Sequence, residues 1–268
     1  MGFRRLAEIA AGLLAAFLVV YSAPAAAEKL HATYGISLIG LPIGVAEVNA
    51  DFWSNHYSVD AQARLSGLAS LVSNSRGAST GAGQIVDGRV VPASFATTAS
   101  NAAMTRTIRM ALAANTVSGV DITPAFDDRP DRIPLTDKDK QGVVDPVGAF
   151  VIPAPAGVAP TSAAACNRTL PVFDGYTRFD IALAYVGERK VKTKGYSGPV
   201  AICSARYVPI AGHRRDRPAT KFMADNKDIE VWLAPIGSTN VLMPYRISVR
   251  TMIGMAVAEA TEFRVGEK

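Results

Sequence analysis

The residues of this chain with most chemistry in them are two cysteines, three histidines and a scatter of aspartates. Cys166 and Cys203 stand 37 positions apart. Either could act as a nucleophile if an imidazole took its proton, and His213 or His56 would be that imidazole. With His213 the two sulfurs would also supply three of the four ligands of a zinc site. Yet both lie beside strand-like runs, Cys166 just ahead of T-L-P-V-F and Cys203 inside V-A-I-C-S-A-R-Y. We read them as a disulfide, with two buried thiols as the alternative. Closing that loop stabilises a fold by about 3–4 kcal/mol when the unlinked chain is the reference.

The carboxylates give weaker signals. Asp174, Asp180 and Glu230 would have to converge in a cleft, one with a raised pKa, to run hydrolysis. Asp174 precedes Gly175 between two strand-like runs, as Asp87 precedes Gly88, so the plainer reading is a turn. The segment D-K-D-K-Q-G from Asp137, with Asp145 beyond it, imitates the start of a calcium loop. That loop needs an oxygen ligand at position 5 and a bidentate Glu at position 12, where this chain has Gln141 and Gly148. Gly77, Gly81 and Gly83 lack the Lys and Ser/Thr of a P-loop. No H-E-x-x-H or S-x-x-K occurs. His31, His56 and His213 are dispersed, and the H-R-R-D-R cluster at residues 213–217 reads as a solvated loop or an anion contact. We therefore name no catalytic, cofactor-binding or metal-binding residue.

The elements that would position such groups are strands. Residues 56–65 alternate with Tyr57, Val59, Ala61 and Ala63 on one face, residues 229–234 with Ile229, Val231 and Leu233, and residues 242–250 with Tyr245, Ile247 and Val249. Asp87-Gly88 is a two-residue hairpin signal. Leu41-Pro42, between Gly40 and Gly44, marks a bend or a sheet edge. Around residues 67–74, Leu65, Leu68, Leu71 and Val72 fall at helical spacing, which reads as one short helix, a lid or a packed plug. Residues 124–141 are a charged, Pro-rich loop, Asp145-Pro146 opens a short helix with Asp145 as cap, and residues 152–165 are a Pro/Ala-rich segment crossing one end of the domain. About ten to fourteen short strands result. The predicted class is mainly β: an antiparallel curled sheet, barrel or half-barrel, with one or two short helices.

The N-terminus reads as a leader. Arg4 and Arg5 precede an apolar run at residues 9–20 and Ala25-Ala26-Ala27 follows, so cleavage is expected after Ala27, leaving residues 28–268 as a single β domain in the periplasm. The apolar run is shorter than a bilayer span, and no later segment is long and apolar enough to be one. Removing Arg4, Arg5 and Glu8 takes the formal charge from +5 to +4. Basic residues are mixed with acids and aromatics are 7% of the chain, so no nucleic-acid partner is expected. Peripheral contact with an anionic envelope surface fits this charge.

The V-F-D-G turn with Arg178 and Asp180 after it, the Cys203 strand running into Y-V-P-I-A-G-H, V-W-L-A-P, L-M-P-Y-R-I, the A-T-E-F ending and the early Y-G-I-S-L-I-G-L-P-I-G form an ordered set. Together they resemble bacterial exported proteins of the domain-of-unknown-function 3108 family, over most of the mature chain. The resemblance implies an exported, mainly β protein with a curled sheet, and it carries no established activity and no catalytic residues. The expectation is a non-enzymatic protein holding a lipid, glycan or other envelope component in the concave face of its sheet. Trp53, Leu68, Leu71 and Trp232 are the candidate lining residues. The alternatives are an assembly factor working through protein contacts, with an interior filled by its own side chains, and an envelope hydrolase.

Overall fold

The computed structural model describes residues 27–67 and 69–266, and at 71 and 72 the backbone only. The expected leader, up to its last residue, and the candidate lining side chains of Leu68 and Leu71 lie outside the described residues. Fourteen strands follow one another. The first seven are β1 (Glu28–Leu38), β2 (Leu41–Trp53), β3 (His56–Leu65), β4 (Arg76–Val86), β5 (Arg89–Ser100), β6 (Thr105–Ala113) and β7 (Thr116–Thr123). After a long crossing segment come β8 (Ile152–Pro153), β9 (Arg168–Phe173), β10 (Arg178–Thr193), β11 (Tyr196–Ala211), β12 (Ile229–Pro235), β13 (Val241–Thr251) and β14 (Gly254–Val265). The helices are short: α1 (Ala69–Val72), where helical spacing was read, and α2 (Pro218–Asp225).

All the long strands join one antiparallel sheet. It runs β7-β6-β5-β4-β3-β2-β1-β14-β13-β12-β11-β10-β9, with β8 paired to β13 off this path. Two hairpin meanders are thus spliced at their inner ends, where the first strand pairs with the last. β7 and β9 remain the outer strands, so the sheet curls without closing. Their ends nevertheless meet. A Cβ on Gly175, in the β9–β10 loop, would sit 2.5 Å from Ile108 Cγ2 and 3.6 Å from Val120 Cγ1, and this glycine has φ +94°. Only glycine fits there. The seam is made by packing rather than by a hydrogen-bonded ladder.

Turn chemistry follows the sequence in most places. Asp87 (φ 50°) and Gly88 (φ 69°) form the two-residue turn expected of Asp-Gly. Asp174 differs. Its loop holds four residues, because Phe173 pairs with Arg178. The Asp174 carboxylate accepts the N–H groups of Tyr176 and Thr177 at 2.8 and 2.5 Å, and Thr177 Oγ1 at 2.6 Å, so it caps its own turn. The β1–β2 turn is the exception. Ile39 (φ 54°) precedes Gly40 (φ 77°) in a two-residue loop. A β-branched residue in the left-handed region costs about 1–2 kcal/mol.

Residues 124–167 cross from one outer strand to the other and fill much of the curl. Val143, Val147, Val151 and Ile152 are buried there. Val144 N–H donates to Pro171 O at 2.8 Å and its carbonyl accepts Phe173 N–H at 2.9 Å, which ties the segment to β9. Its end is fixed covalently, since Cys166 and Cys203 form a disulfide with Cα atoms 5.4 Å apart, both fully buried. Cys203 lies on β11, so the bond anchors the crossing segment under the C-terminal half of the sheet. Replacing both cysteines by alanine should lower stability to urea by about 3–4 kcal/mol. An unchanged midpoint in urea would mean that packing alone already constrains the segment.

Candidate functional site

The size of inward-facing side chains decides where the curl is hollow. One cross-strand row reads Tyr34, Ala46, Ala63, Gly77, Ala99, Arg106 from β1 to β6. Four small residues in succession leave space that a row of leucines would occupy. Two rows further along the strands, Leu30, Ala50, Val59, Gly81, Phe95 and Met110 form a row that is filled, because the crossing segment packs onto its glycine. The result is a cavity of about 540 Å³ at one end of the N-terminal half, with Ile36, Leu65, Met104, Ile108 and Phe126 among its apolar walls. The turns 39–40 and 101–104 lie at the same end.

Arg64, Arg76 and Arg106 border this apolar space, and Arg106 is held in a fixed pose. Arg106 Nε donates to Pro124 O at 3.0 Å, and the guanidinium lies 3.9 Å above the Phe126 ring. Phe126 stacks on Tyr176 at 3.8 Å, and Arg132 covers the other face of Tyr176 at 4.0 Å. The two outer guanidinium groups thus sandwich two rings, and each cation faces an aromatic surface. Among the described residues, no carboxylate forms an ion pair with Arg106. An anionic group entering the cavity would find an oriented donor next to apolar walls.

Deeper in, the crossing segment turns at Asp145. Its Oδ1 accepts the N–H groups of Val147 and Gly148 at 2.8 and 2.9 Å, the capping role expected of Asp145, ahead of a single 3₁₀ turn at Gly148–Phe150. Two glycines make room for this turn and a third for the strand beside it. A Cβ on Gly81 would lie 2.8 Å from Val147 and one on Gly148 2.8 Å from Asp145 Oδ2, while one on Gly83 would run into the β5 backbone at Val91 O and Pro92 and lie 2.9 Å from the Tyr57 hydroxyl. These include two of the glycines that fail as a P-loop. Asp145 Oδ2 and the Tyr57 hydroxyl are both buried without a hydrogen-bond partner. Burial pushes the Asp145 carboxyl up to about 6, against the lowering effect of the two backbone N–H groups. Burial first, then the nearby Asp145 charge, raises the Tyr57 hydroxyl.

This raised carboxyl has a consequence for stability. In the unfolded chain it titrates at its ordinary 3.8, in the fold near 6. Between those values the folded state holds more protons, so stability falls as pH rises from about 4 to about 6 and is level above that. A shift of this size corresponds to about 3 kcal/mol. Asp145→Asn keeps the capping oxygen and cannot ionise. It should remove the fall between pH 4 and 6, measured by urea midpoints across pH, and leave the neutral-pH protein at least as stable as wild type. A variant that keeps the wild-type slope would assign that slope to another group.

The C-terminal half holds a smaller, apolar pocket of about 230 Å³. Val172, Ile181, Leu183, Val231, Leu233 and Ile247 line it, with Phe150 from the crossing segment beside them. Ile229, Val231 and Leu233 face it as their alternation predicts. Trp232 therefore falls on the other face of β12. There its Nε1 donates to Glu230 at 2.6 Å while Arg189 and Arg246 lie 5.0 and 4.9 Å from its ring. Trp53 likewise lines neither space. Phe52 takes the inward position on β2, and Trp53, 42% exposed, stacks on His56 at the β2–β3 turn. Strand alternation thus displaces both tryptophans from the role expected of them. The small-residue row, which does hollow the sheet, was visible only as alanines and glycines on separate strands.

The other chemistry-bearing residues are in structural use. The disulfide consumes both sulfurs, which removes the nucleophile and the zinc site with His213. Asp180 pairs with Arg178 at 2.6 Å, Arg214 with Asp131 at 2.6 Å, and Asp139 Oδ2 accepts both the N–H and the hydroxyl of Thr136 at 2.7 Å. The described residues contain no group of three His, Cys, Asp or Glu side chains placed to hold a metal ion. Among them, no helix is long and apolar enough to cross a membrane. A formed disulfide fits an oxidising, exported compartment.

The family model described as "Protein of unknown function (DUF3108)" matches residues 30–261. No curated protein matches the chain. Among solved structures, it is similar to the beta-barrel-like protein of domain of unknown function DUF1849 from Brucella abortus. The TM-score is 0.52 at 9% identity, over 90% of this chain and 98% of that one. At that identity the likeness is one of fold.

Proposed function

The chain belongs to the DUF3108 family of proteins of unknown function, and we propose that it is an exported, non-enzymatic protein that binds one lipid-like amphiphile of the cell envelope. The leader at residues 1–27 directs it to the periplasm and is cleaved after Ala27. The observation that carries the binding reading is the cavity of about 540 Å³, apolar along its walls, with the Arg106 guanidinium held over it by Phe126. Pockets of about 300–1,000 Å³ with a few placed polar groups are the usual size for small-molecule sites. An acyl chain would lie along Ala63, Gly77 and Ala99, and an acidic head would meet Arg106. The crossing segment, which fills the adjoining space, favours the second reading of an assembly factor acting through protein contacts.

Mass spectrometry of molecules released on denaturing the gently isolated protein tests this. A near-stoichiometric acidic amphiphile is expected. Gly77 has no positive φ and only Thr98 O within 4 Å of an added Cβ, at 3.7 Å, so Gly77→Leu should fill the space without unfolding the protein. It should reduce bound amphiphile at least tenfold, and Arg106→Gln should select against acidic heads while neutral ones persist. Wild-type protein that is empty and gains no added fatty acid or phospholipid would overturn the reading in favour of the assembly role.

A further inference from the structure

Apolar side chains gather at the tips of two hairpins beside the cavity mouth. Ile39 lies in the β1–β2 turn and Leu41 follows it, and Met252 and Ile253 form the β13–β14 turn. Ile39 and Ile253 are 65% and 68% exposed, and Leu41 and Met252 are close to these. The β1–β14 ladder sets the tips side by side. Ile39 N–H donates to Met255 O at 2.9 Å, and its side chain lies over Gly254. Four large apolar side chains therefore stand together on a convex protrusion, not in a groove.

Two further observations say what covers them. The first is the backbone at Ile39. The turn takes a β-branched residue in the left-handed region, where Asn or Asp would be relaxed, and no burial is gained in return. A local rule broken without benefit to folding marks a functional position. The second is charge. Arg64 and Arg76 stand directly opposite one another on β3 and β4, an unfavourable like-charge pair. Among the described residues neither has a carboxylate partner. Arg64 pairs with Val45, four residues from Leu41, so this row lies about 13 Å back along the strand from the tip. Interfacial apolar segments bury about 5–10 Å into a bilayer, which brings the two guanidinium groups to the level of the phosphates.

We propose that the Ile39/Leu41 and Met252/Ile253 tips insert into the surface of an anionic lipid bilayer, with Arg64 and Arg76 meeting its phosphates. Asp228, beside Arg250 at 3.8 Å, moderates the charge on the β13 side. Docking of this kind sets the cavity mouth against the lipid, and it holds whether or not the cavity carries an amphiphile.

The test uses a fluorescent label that brightens and shifts to the blue in lipid. Both native cysteines are in the disulfide, so Ile253→Cys can be labelled alone. Val86→Cys, at the opposite end of the sheet, is the reference, and the N-terminus is common to both proteins. With vesicles of phosphatidylcholine containing about 30% phosphatidylglycerol, the label at 253 should shift and that at 86 should not. Co-sedimentation should fall at least tenfold in Ile39→Asn/Ile253→Ser, and several-fold in Arg64→Gln/Arg76→Gln or in 0.5 M salt. Ile39→Asn alone should raise the melting temperature while weakening binding, which separates loss of docking from loss of fold. A label at 253 that stays in water, or shifts no more than the one at 86, overturns the proposal. So does a concentration-dependent shift without vesicles, which would mean that a second copy covers the tips.

Discussion

The ladder between β1 and β14 is the contact on which the rest of the structure depends. Every other long pairing joins strands that follow one another in the chain, and a turn or loop can hold their register. This one joins residues more than two hundred positions apart, with Leu30 opposite Val265 and Leu38 opposite Ala256. Without it the protein is two open meanders, each with a bare apolar face. With it the right-handed twist of each strand accumulates across the whole path, and the sheet curls until its outer ends touch. The Tyr34 hydroxyl reinforces the splice by donating to Pro244 O at 2.5 Å. Because the ladder is non-local, its loop-closure entropy must be met before most of the core can form.

A curl that stops short of closure leaves two exposed ladders and an interior of uneven width. The crossing segment answers both. Val144 pairs with β9 along its outer side, while Val143, Val147 and Val151 occupy the interior. Its tightest point is the Asp145 turn. That turn buries a carboxylate at a cost, because it needs an acceptor for two backbone N–H groups that water cannot reach. Gly81 and Gly148 carry no side chain, which leaves room for Val147 and the Asp145 carboxylate. Where the segment does not reach, the alanines of the small-residue row face empty space, and the cavity is what remains.

Much of the architecture was legible in the sequence, and the reasons differ by element. Strands with one wet face, such as residues 56–65 and 229–234, announce themselves by alternation. Asp87-Gly88 specifies its own turn, and the cysteines specify their own bond. Asp174 was legible as a turn residue but not in loop length, because Asx-type capping serves four-residue loops as well as two-residue ones. The site was far less legible. Large aromatics drew attention to Trp53 and Trp232, yet burial on a strand follows parity, and Phe52 and Leu233 hold the inward positions. The hollow is defined by what is missing from Ala63, Gly77 and Ala99. That absence becomes meaningful only once pairing places them in one row. Arg106 could not be singled out among twenty-eight lysines and arginines until Phe126 was seen beneath it.

The two ends of the sheet follow opposite chemical rules. At the far end the turns include Ser54 and Asn55, Asp87 and Gly88, and Gly237 and Ser238, residues that tolerate a left-handed backbone and prefer water, with Ala114 before Asn115 as the apolar exception. At the cavity end, two of the turns present Ile39, Leu41, Met252 and Ile253 to solvent, and one of them places a β-branched residue in the left-handed region to do so. Folding gains nothing from that exchange, since polar turn residues would leave every ladder intact. The end that carries the apolar tips is also the end that the small-residue row hollows and that Arg106 overlooks. An apolar rim, an adjacent apolar cavity and guanidinium groups that, among the described residues, no carboxylate pairs stand together at one pole and have a common physical basis. Each lowers the free energy of that pole where hydrocarbon and phosphate lie together, and none does so in water.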